Sequence, residues 1–272
     1  MSGSATLVAG VVGSPIGHSL SPAIHGAWIR AAGLEAVYLA LEPGDFTDLI
    51  RRKSGEPNHR GFNVTAPFKE EALALASNAS ERARRAGSAN LLIFEGEGRI
   101  RADNTDGEGL LAAFAEQAPG FDPAAGPVVI IGAGGAARGA AAAFGEAGAP
   151  AVRLVARSPE KAAATAASLG GVVSAADFSA AVRDANAIIN ATPAAPSVAL
   201  EAAPASAVVM DMVYRPVTTP FLAHARAAGL TTVDGLAMLI GQARPSFTAL
   251  FGVAPPDVDV RKWAILSMDL GV

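Results

Sequence analysis

The chain predicts an α/β protein of two domains: an N-terminal α/β domain completed by the C-terminal helices, and a parallel-sheet domain set between them. Three observations carry this. Short apolar runs alternate with helical patterns along most of the 272 residues, the signature of βαβ units. A glycine-rich run, Gly132-Ala133-Gly134-Gly135-Ala136-Ala137-Arg138, opens a helix in mid-chain, so the residues before it form a unit of their own. After Gly235 the pattern turns helical to the end. Residues 1–104 and 238–272 are assigned to the first domain and 105–237 to the second.

In order, Val8 to Val12 reads as a buried strand and Pro22 to Ala32 as a helix, with Ser21 as N-cap and Pro22 at the first helical position. Val37 to Leu41 is a strand, Phe46 to Arg52 a short helix, Phe62 to Thr65 a strand and Phe68 to Ala76 a helix. Leu91 to Phe94 and Ile100 to Ala102 flank the turn Glu95-Gly96-Glu97-Gly98 and form a hairpin. Thr105 to Ala115 is a helix, and Ala118 to Pro127 a loop. Val128 to Ile131 is a wholly apolar strand, followed by an Ala-rich helix ending near Gly148. Strands at Val152 to Ala156, Ala187 to Asn190, Val208 to Met210 and Thr231 to Val233 alternate with helices at Pro159 to Leu169, Ala180 to Asp184 and Phe221 to Ala228. Leu236 to Gly252 and Val260 to Leu270 are the closing helices.

Composition narrows the function. A hydrophobic fraction of 51% against 17% charged residues can bury a substantial core. Net charge is −4 with no long basic run, which argues against nucleic acid. There are no Cys, so thiolate catalysis and Cys-ligated metals are excluded, and His18, His25, His59 and His224 are too scattered for a His-rich metal site. His18 and His25 read as supporting residues. The N-terminus shows no secretory pattern and no stretch reads as a membrane span. A cytoplasmic enzyme is the expected class.

The run Gly132 to Arg138 is a variant of Gly-x-Gly-x-x-Gly. Gly132 permits the tight turn and Gly134 lets the backbone approach a pyrophosphate. The helix N-terminus beyond offers free N–H groups and a positive dipole end. Its place after an apolar strand favours a dinucleotide over a plain glycine turn. At the end of the next strand, Ala156-Arg157-Ser158 offers no acid before Glu160. An acid there would accept from a ribose 2′-hydroxyl, whereas Arg157 and Ser158 can bond a 2′-phosphate, which favours NADP.

Other polar clusters lie outside this loop. Ser19 and Ser21, two apart in an extended segment, would face one way and suit a substrate carboxylate. The run Asn63-Val64-Thr65-Ala66-Pro67-Phe68-Lys69 ends in one of only four Lys, against seventeen Arg. Lys can take part in proton transfer and Arg cannot. Asn90 and Asp103-Asn104-Thr105-Asp106-Gly107 follow. Asp106 is either a first-turn acid or the partner of Lys69 at the domain boundary, where a substrate would meet a cofactor.

Together these motifs resemble the shikimate dehydrogenase family. Gly13 to Pro22, Asn63 to Lys69, Asn90, Asp103 to Gly107, Gly132 to Arg138, Asn190 to Thr192, Asp211 to Tyr214, Met238 to Ala243 and Ser246-Phe247 follow that family's order through nearly the whole chain. The resemblance implies a substrate domain, a Rossmann domain for NADP(H), and reduction of 3-dehydroshikimate to shikimate in chorismate and aromatic amino-acid biosynthesis. It implies that Ser19, Ser21, Thr65, Asn90, Asp106, Tyr214 and Gln242 hold the substrate and that Lys69 and Asp106 are the catalytic pair. Gly132, Ala133, Gly134, Gly135, Ala136, Arg157, Ser158, Thr192 and Met238 would hold the cofactor. No metal, nucleic acid or membrane is implied, and the expected state is a monomer or homodimer. Three departures stand out: the family often has Asn-Arg-Thr at 156–158, Asn-Thr where this chain has Asn90-Leu91, and Ser-x-Gly-Met where it has Pro193-Ala-Ala-Pro196. The alternatives are an NAD-using quinate/shikimate dehydrogenase, a folate-linked methylene dehydrogenase and a non-catalytic binding module.

Overall fold

The computed structural model describes residues 5–169, 172–174 and 177–270. Residues 1–4 and 271–272, the ends of the first predicted domain, lie outside them. The chain forms two compact units, residues 1–105 with 242–272, and residues 106–241.

The first unit runs β1 (Leu7–Val12), α1 (Ser21–Ala31), β2 (Ala36–Leu41), α2 (Phe46–Ser54), β3 (His59–Val64), α3 (Lys69–Leu75), β4 (Asn78–Ala79), α4 (Glu81–Ala86), β5 (Leu91–Phe94) and β6 (Ile100–Asp103). The strands form one six-stranded sheet in the order β2-β1-β3-β5-β6-β4. β1 pairs in parallel with β2 and β3, while β5 pairs antiparallel with both β3 and β6. The predicted hairpin is thus present, and it makes this sheet mixed. Phe62, Val64, Leu92, Phe94, Ile100 and Ala102 pack on Val12, Phe46 and Ile50 to form a core beside the sheet. Burial on this scale contributes about 25 cal/mol per Å² of apolar area removed from water.

The second unit runs α5 (Asp106–Gln117), β7 (Val128–Ile131), α6 (Gly135–Glu146), β8 (Val152–Val155), α7 (Pro159–Leu169), β9 (Val172–Ser174), α8 (Phe178–Ala181), β10 (Ala187–Asn190), β11 (Val208–Asp211), α9 (Pro220–Ala227) and β12 (Thr231–Asp234). Its sheet has the order β12-β11-β10-β7-β8-β9 and every pairing is parallel. This is the doubly wound Rossmann arrangement, with the strand order reversing between β7 and β10, where such folds take ligands at the carboxyl ends of the strands. β7 and β10 are buried along their whole length, as apolar runs in a parallel sheet must be. Small residues let helices approach closely: a Cβ on Gly241 would stand 2.8 Å from the Gly109 carbonyl oxygen, and one on Gly107 would stand 3.0 Å from the Ala143 Cβ.

Two helices close the chain, α10 (Gly235–Phe251) and α11 (Val260–Leu270). The second unit boundary falls inside α10, between Gly241 and Gln242. Among the described residues, no helix is long and apolar enough to cross a membrane.

Ser21 departs from its expected role. It is the first helical residue of α1, Leu20 holds the cap position, and no side chain caps the helix. The Ser21 N–H donates instead to Ser19 Oγ at 3.3 Å. The segment from Gly17 is a turn rather than extended chain, so the premise that both hydroxyls face one way by strand alternation fails.

Candidate functional site

In the first unit, two of the predicted substrate residues, Asn90 and Gln242, belong to one buried hydrogen-bond network. Its centre is Thr105, fully buried directly after β6. The Thr105 N–H donates to Asn90 Oδ1 at 2.8 Å, and its hydroxyl donates to the Gln242 carbonyl at 3.0 Å. Asn90 Nδ2 donates to Thr105 Oγ1 at 2.9 Å and to Gln242 Oε1 at 3.2 Å. Asn63 extends the network: its Nδ2 donates to the Asn90 carbonyl at 3.1 Å and to Ser246 Oγ at 2.9 Å. Its Oδ1 accepts from the Tyr38 hydroxyl at 2.8 Å. Burial pushes the Tyr38 phenol well up, and the Ser21 side chain offsets part of this. A path of direct hydrogen bonds thus runs from Tyr38 through Asn63 and Asn90 to Gln242.

Thr65 and Lys69 flank this path. Val64 N–H donates to the Asn90 carbonyl at 2.8 Å, and Ala89 N–H to the Lys69 carbonyl at 2.8 Å. The Gly13 loop closes over the strand end, since a Cβ on Gly13 would stand 2.3 Å from Thr65 Cγ2. Thr65 and Lys69 are both half-buried. Ser19, Ser21, Thr65, Lys69, Asn90 and Gln242 all lie in this unit, while Asp106 and Tyr214 belong to the other.

Several supporting residues escaped the sequence reading. Arg82 on α4 grips Asp103 with both ends of its guanidinium, Nε to Oδ1 at 2.7 Å and Nη2 to Oδ2 at 2.8 Å. Ser80 Oγ adds a bond at 2.6 Å and the Asn104 N–H one at 2.8 Å. Burial pushes the Asp103 carboxyl up, but these bonds together outweigh it and hold it below the usual carboxylate range. The strand end that leads into Thr105 and Asp106 is thereby anchored. Tyr38, Asn63, Thr105 and Ser246 were likewise missed as a network. One signal was available for part of it: Gln242 and Ser246 stand four apart, on one helix face.

His25 is packed in the core of the first unit. It is fully buried, stacked on Tyr38 at 4.0 Å between ring centroids and edge-on to Trp28. Burial pushes its pKa from 6.5 down to about 3. The unfolded chain therefore binds a proton near pH 6.5 that the folded chain refuses. The resulting stability is present above pH 6.5 and is lost as pH falls toward 3, at about 1.4 kcal/mol per unit. Replacing His25 with Phe should flatten the fall in melting temperature between pH 6.5 and 4; an unchanged slope would remove His25 as its cause.

In the second unit the glycine-rich loop follows β7 at the point of strand reversal. Gly132 has φ 131°, and a Cβ there would stand 3.2 Å from the Ala191 carbonyl and 3.3 Å from Thr192 Cγ2. Only glycine suits both conditions. Gly134 caps α6 without a side-chain bond, and Gly134, Gly135 and Ala136 are exposed. A Cβ at Gly134 or Gly135 would meet nothing within 4 Å. An exposed helix N-terminus with no side-chain cap fits the diphosphate of a dinucleotide. Ala133, Ala191, Met212 and Met238 pack on one core beside this loop.

The loops after β10 and β11 are tied by buried side chains. Asn190 Nδ2 donates to Asp211 Oδ1 at 2.9 Å, and its Oδ1 accepts from the Thr192 N–H and hydroxyl at 3.0 and 2.7 Å. Asp211 also accepts from Thr219 at 2.6 Å. Tyr214 beyond them is half-buried; burial pushes its phenol up and nearby Arg215 counters this. After β8, Arg157 is exposed. The Ser158 hydroxyl donates to Glu160 Oε2 at 2.8 Å and accepts from the Lys161 N–H at 3.3 Å.

Comparison with known proteins agrees with this geometry. Residues 11–92 match the family model described as the shikimate dehydrogenase substrate binding domain, and residues 115–216 match shikimate / quinate 5-dehydrogenase. The chain is 51% identical to the shikimate dehydrogenase (NADP(+)) of Caulobacter vibrioides, over 96% of this chain and 95% of that one. It is 43% identical to the protein of the same name from Dinoroseobacter shibae, over 91% and 93%. Among solved structures, the Thermus thermophilus shikimate 5-dehydrogenase in complex with NADP(H) and shikimate superposes with a TM-score of 0.86 at 33% identity, covering 96% of this chain and all of that one. The Corynebacterium glutamicum quinate dehydrogenase in complex with NAD gives 0.87 at 26% identity, covering 97% and 99%.

Proposed function

The chain belongs to the shikimate dehydrogenase family, and from that premise we propose how its own residues reduce 3-dehydroshikimate to shikimate with NADPH, a reversible step toward chorismate and the aromatic amino acids. The observation that carries this reading is the buried network around Thr105. It holds Asn90 and Gln242 side by side, and the backbone of Asn90 and its neighbour Ala89 bonds Val64, next to Thr65, and Lys69. Such a set of fixed amides and hydroxyls suits a ligand with several hydroxyls and a carboxylate.

The first unit then serves as the substrate domain and the second as the cofactor domain. Ser19 and Ser21 bond the substrate carboxylate; Thr65, Asn90 and Gln242 bond ring hydroxyls. Asp106 accepts from a substrate hydroxyl, orienting the ring, and Tyr214 binds the same substrate. Residues 132–136 hold the diphosphate, Arg157 and Ser158 the 2′-phosphate, and Thr192 and Met238 the nicotinamide side. When bound, the cofactor supplies the hydride that converts the ring carbonyl carbon to a CH–OH centre. As that carbon is reduced, its oxygen gains negative charge and takes a proton from Lys69 Nζ; in the oxidative direction Lys69 takes the proton back. In this reading the enzyme works in the cytoplasm as a monomer or homodimer.

The test is a cross-comparison of kcat/KM for NADP+ and NAD+, each with shikimate and quinate, followed at 340 nm. NADP+ with shikimate should be the best pair. Preference for NAD+ would overturn the assignment of Arg157 to a 2′-phosphate, and preference for quinate would overturn the substrate. Binding of both ligands with no reduced cofactor formed would overturn the catalytic reading.

A further inference from the structure

α7 is an Ala-rich helix, with Ala163, Ala164, Ala166 and Ala167 around a lone Thr165. A β-branched residue inside such a helix is less favourable than Ala. Threonine in a helix commonly turns its hydroxyl back on its own backbone. Here the Thr165 hydroxyl crosses to the glycine-rich loop instead and donates to the Ala133 carbonyl at 3.0 Å.

That bond acts on the peptide linking Ala133 to Gly134. A trans peptide is planar, and its C=O and N–H point in opposite directions. Drawing the Ala133 carbonyl toward α7 therefore aims the Gly134 N–H away from α7. Other contacts hold the start of the loop: Gly132 N–H donates to the Val155 carbonyl at 2.8 Å, and a Cβ on Gly132 would press on Ala191 and Thr192. Neither sets the rotation of the following peptide. We propose that Thr165 is a positioning residue that presets the Ala133–Gly134 peptide to donate to the dinucleotide diphosphate. This rests on the reading of the second unit as the NADP domain, and deepens it.

The test uses Thr165→Val, which keeps the shape and loses the donor, Thr165→Ala, which favours the helix, and Thr165→Ser, which keeps the donor. NADPH affinity is measured directly by the change in nucleotide fluorescence on binding. Val and Ala should weaken it about five- to tenfold and Ser should stay within twofold of wild type. The KM for NADPH should follow, with kcat and the KM for shikimate unchanged. Adenosine 2′-phosphate, which lacks the diphosphate, should bind all four proteins equally. Unchanged NADPH affinity in Val and Ala would overturn the proposal. So would loss in Ser as large as in Val, or equal weakening of adenosine 2′-phosphate. If wild-type protein itself bound no NADPH, the reading of the second unit would fall first, and the proposal with it.

Discussion

Lys69→Ala should lower kcat by about 10²- to 10⁴-fold while the KM for shikimate moves only a few-fold. The structure sharpens the reason to expect this. Lys69 is the first residue of α3. A cation at a helix N-terminus opposes the macrodipole, and the acids that suit such a place, Glu70 and Glu71, follow it directly. Helix stability therefore does not explain a Lys here. Its carbonyl accepts from Ala89 N–H, next to Asn90, so its backbone belongs to the substrate framework while its side chain is half-buried. Lys69→Arg keeps the charge but cannot hand over a proton, so it should be nearly as slow as Ala. Steady-state kinetics in both directions check this, and wild-type turnover in Lys69→Ala would remove Lys69 from the chemistry.

Thr105→Val should raise the KM for shikimate tenfold or more and cost about 2–3 kcal/mol of stability. Val has nearly the shape of Thr, so the change falls on the hydroxyl rather than on packing. What is lost is a hydroxyl that accepts from Asn90 and donates to the Gln242 carbonyl in a fully buried place. Leaving buried partners unsatisfied costs about 1–3 kcal/mol each. Asn90 and Gln242 would also lose the contact that sets their orientation, so the effect should fall on KM for shikimate and spare affinity for NADPH. Denaturant unfolding and separate KM measurements read both parts. A variant with unchanged shikimate KM would show that the network does not shape the substrate site.

Where the sequence could be read, the determining contacts were local. β7 announced itself as an unbroken apolar run, and α7 and α11 have the predicted bounds because their periodicity and flanking residues mark both ends. The missed elements are short. β4 has two residues, β9 three and α4 six, too few for a period to show. Signals for α4 were nonetheless present: Ser80 caps it through the Ala83 N–H at 3.2 Å, and Gly87 ends it at φ 63°. With α4 unseen, Arg82 had no place from which to reach Asp103. Ser21 was given a capping role because the residue type favours it; the turn from Gly17 handed its N–H to Ser19 instead.

By itself the sequence determined the two-unit α/β plan, the parallel sheet, the glycine loop and the polar residues worth watching. Periodicity, turn chemistry and the steric freedom of glycine act between near neighbours. Only the tertiary structure decided which of those polar residues meet. Thr105 and Gln242 are 137 residues apart and Asn63 and Ser246 are 183 apart, yet they form one network. A buried amide must find its partners wherever the fold brings them, and nothing in the local sequence records that choice.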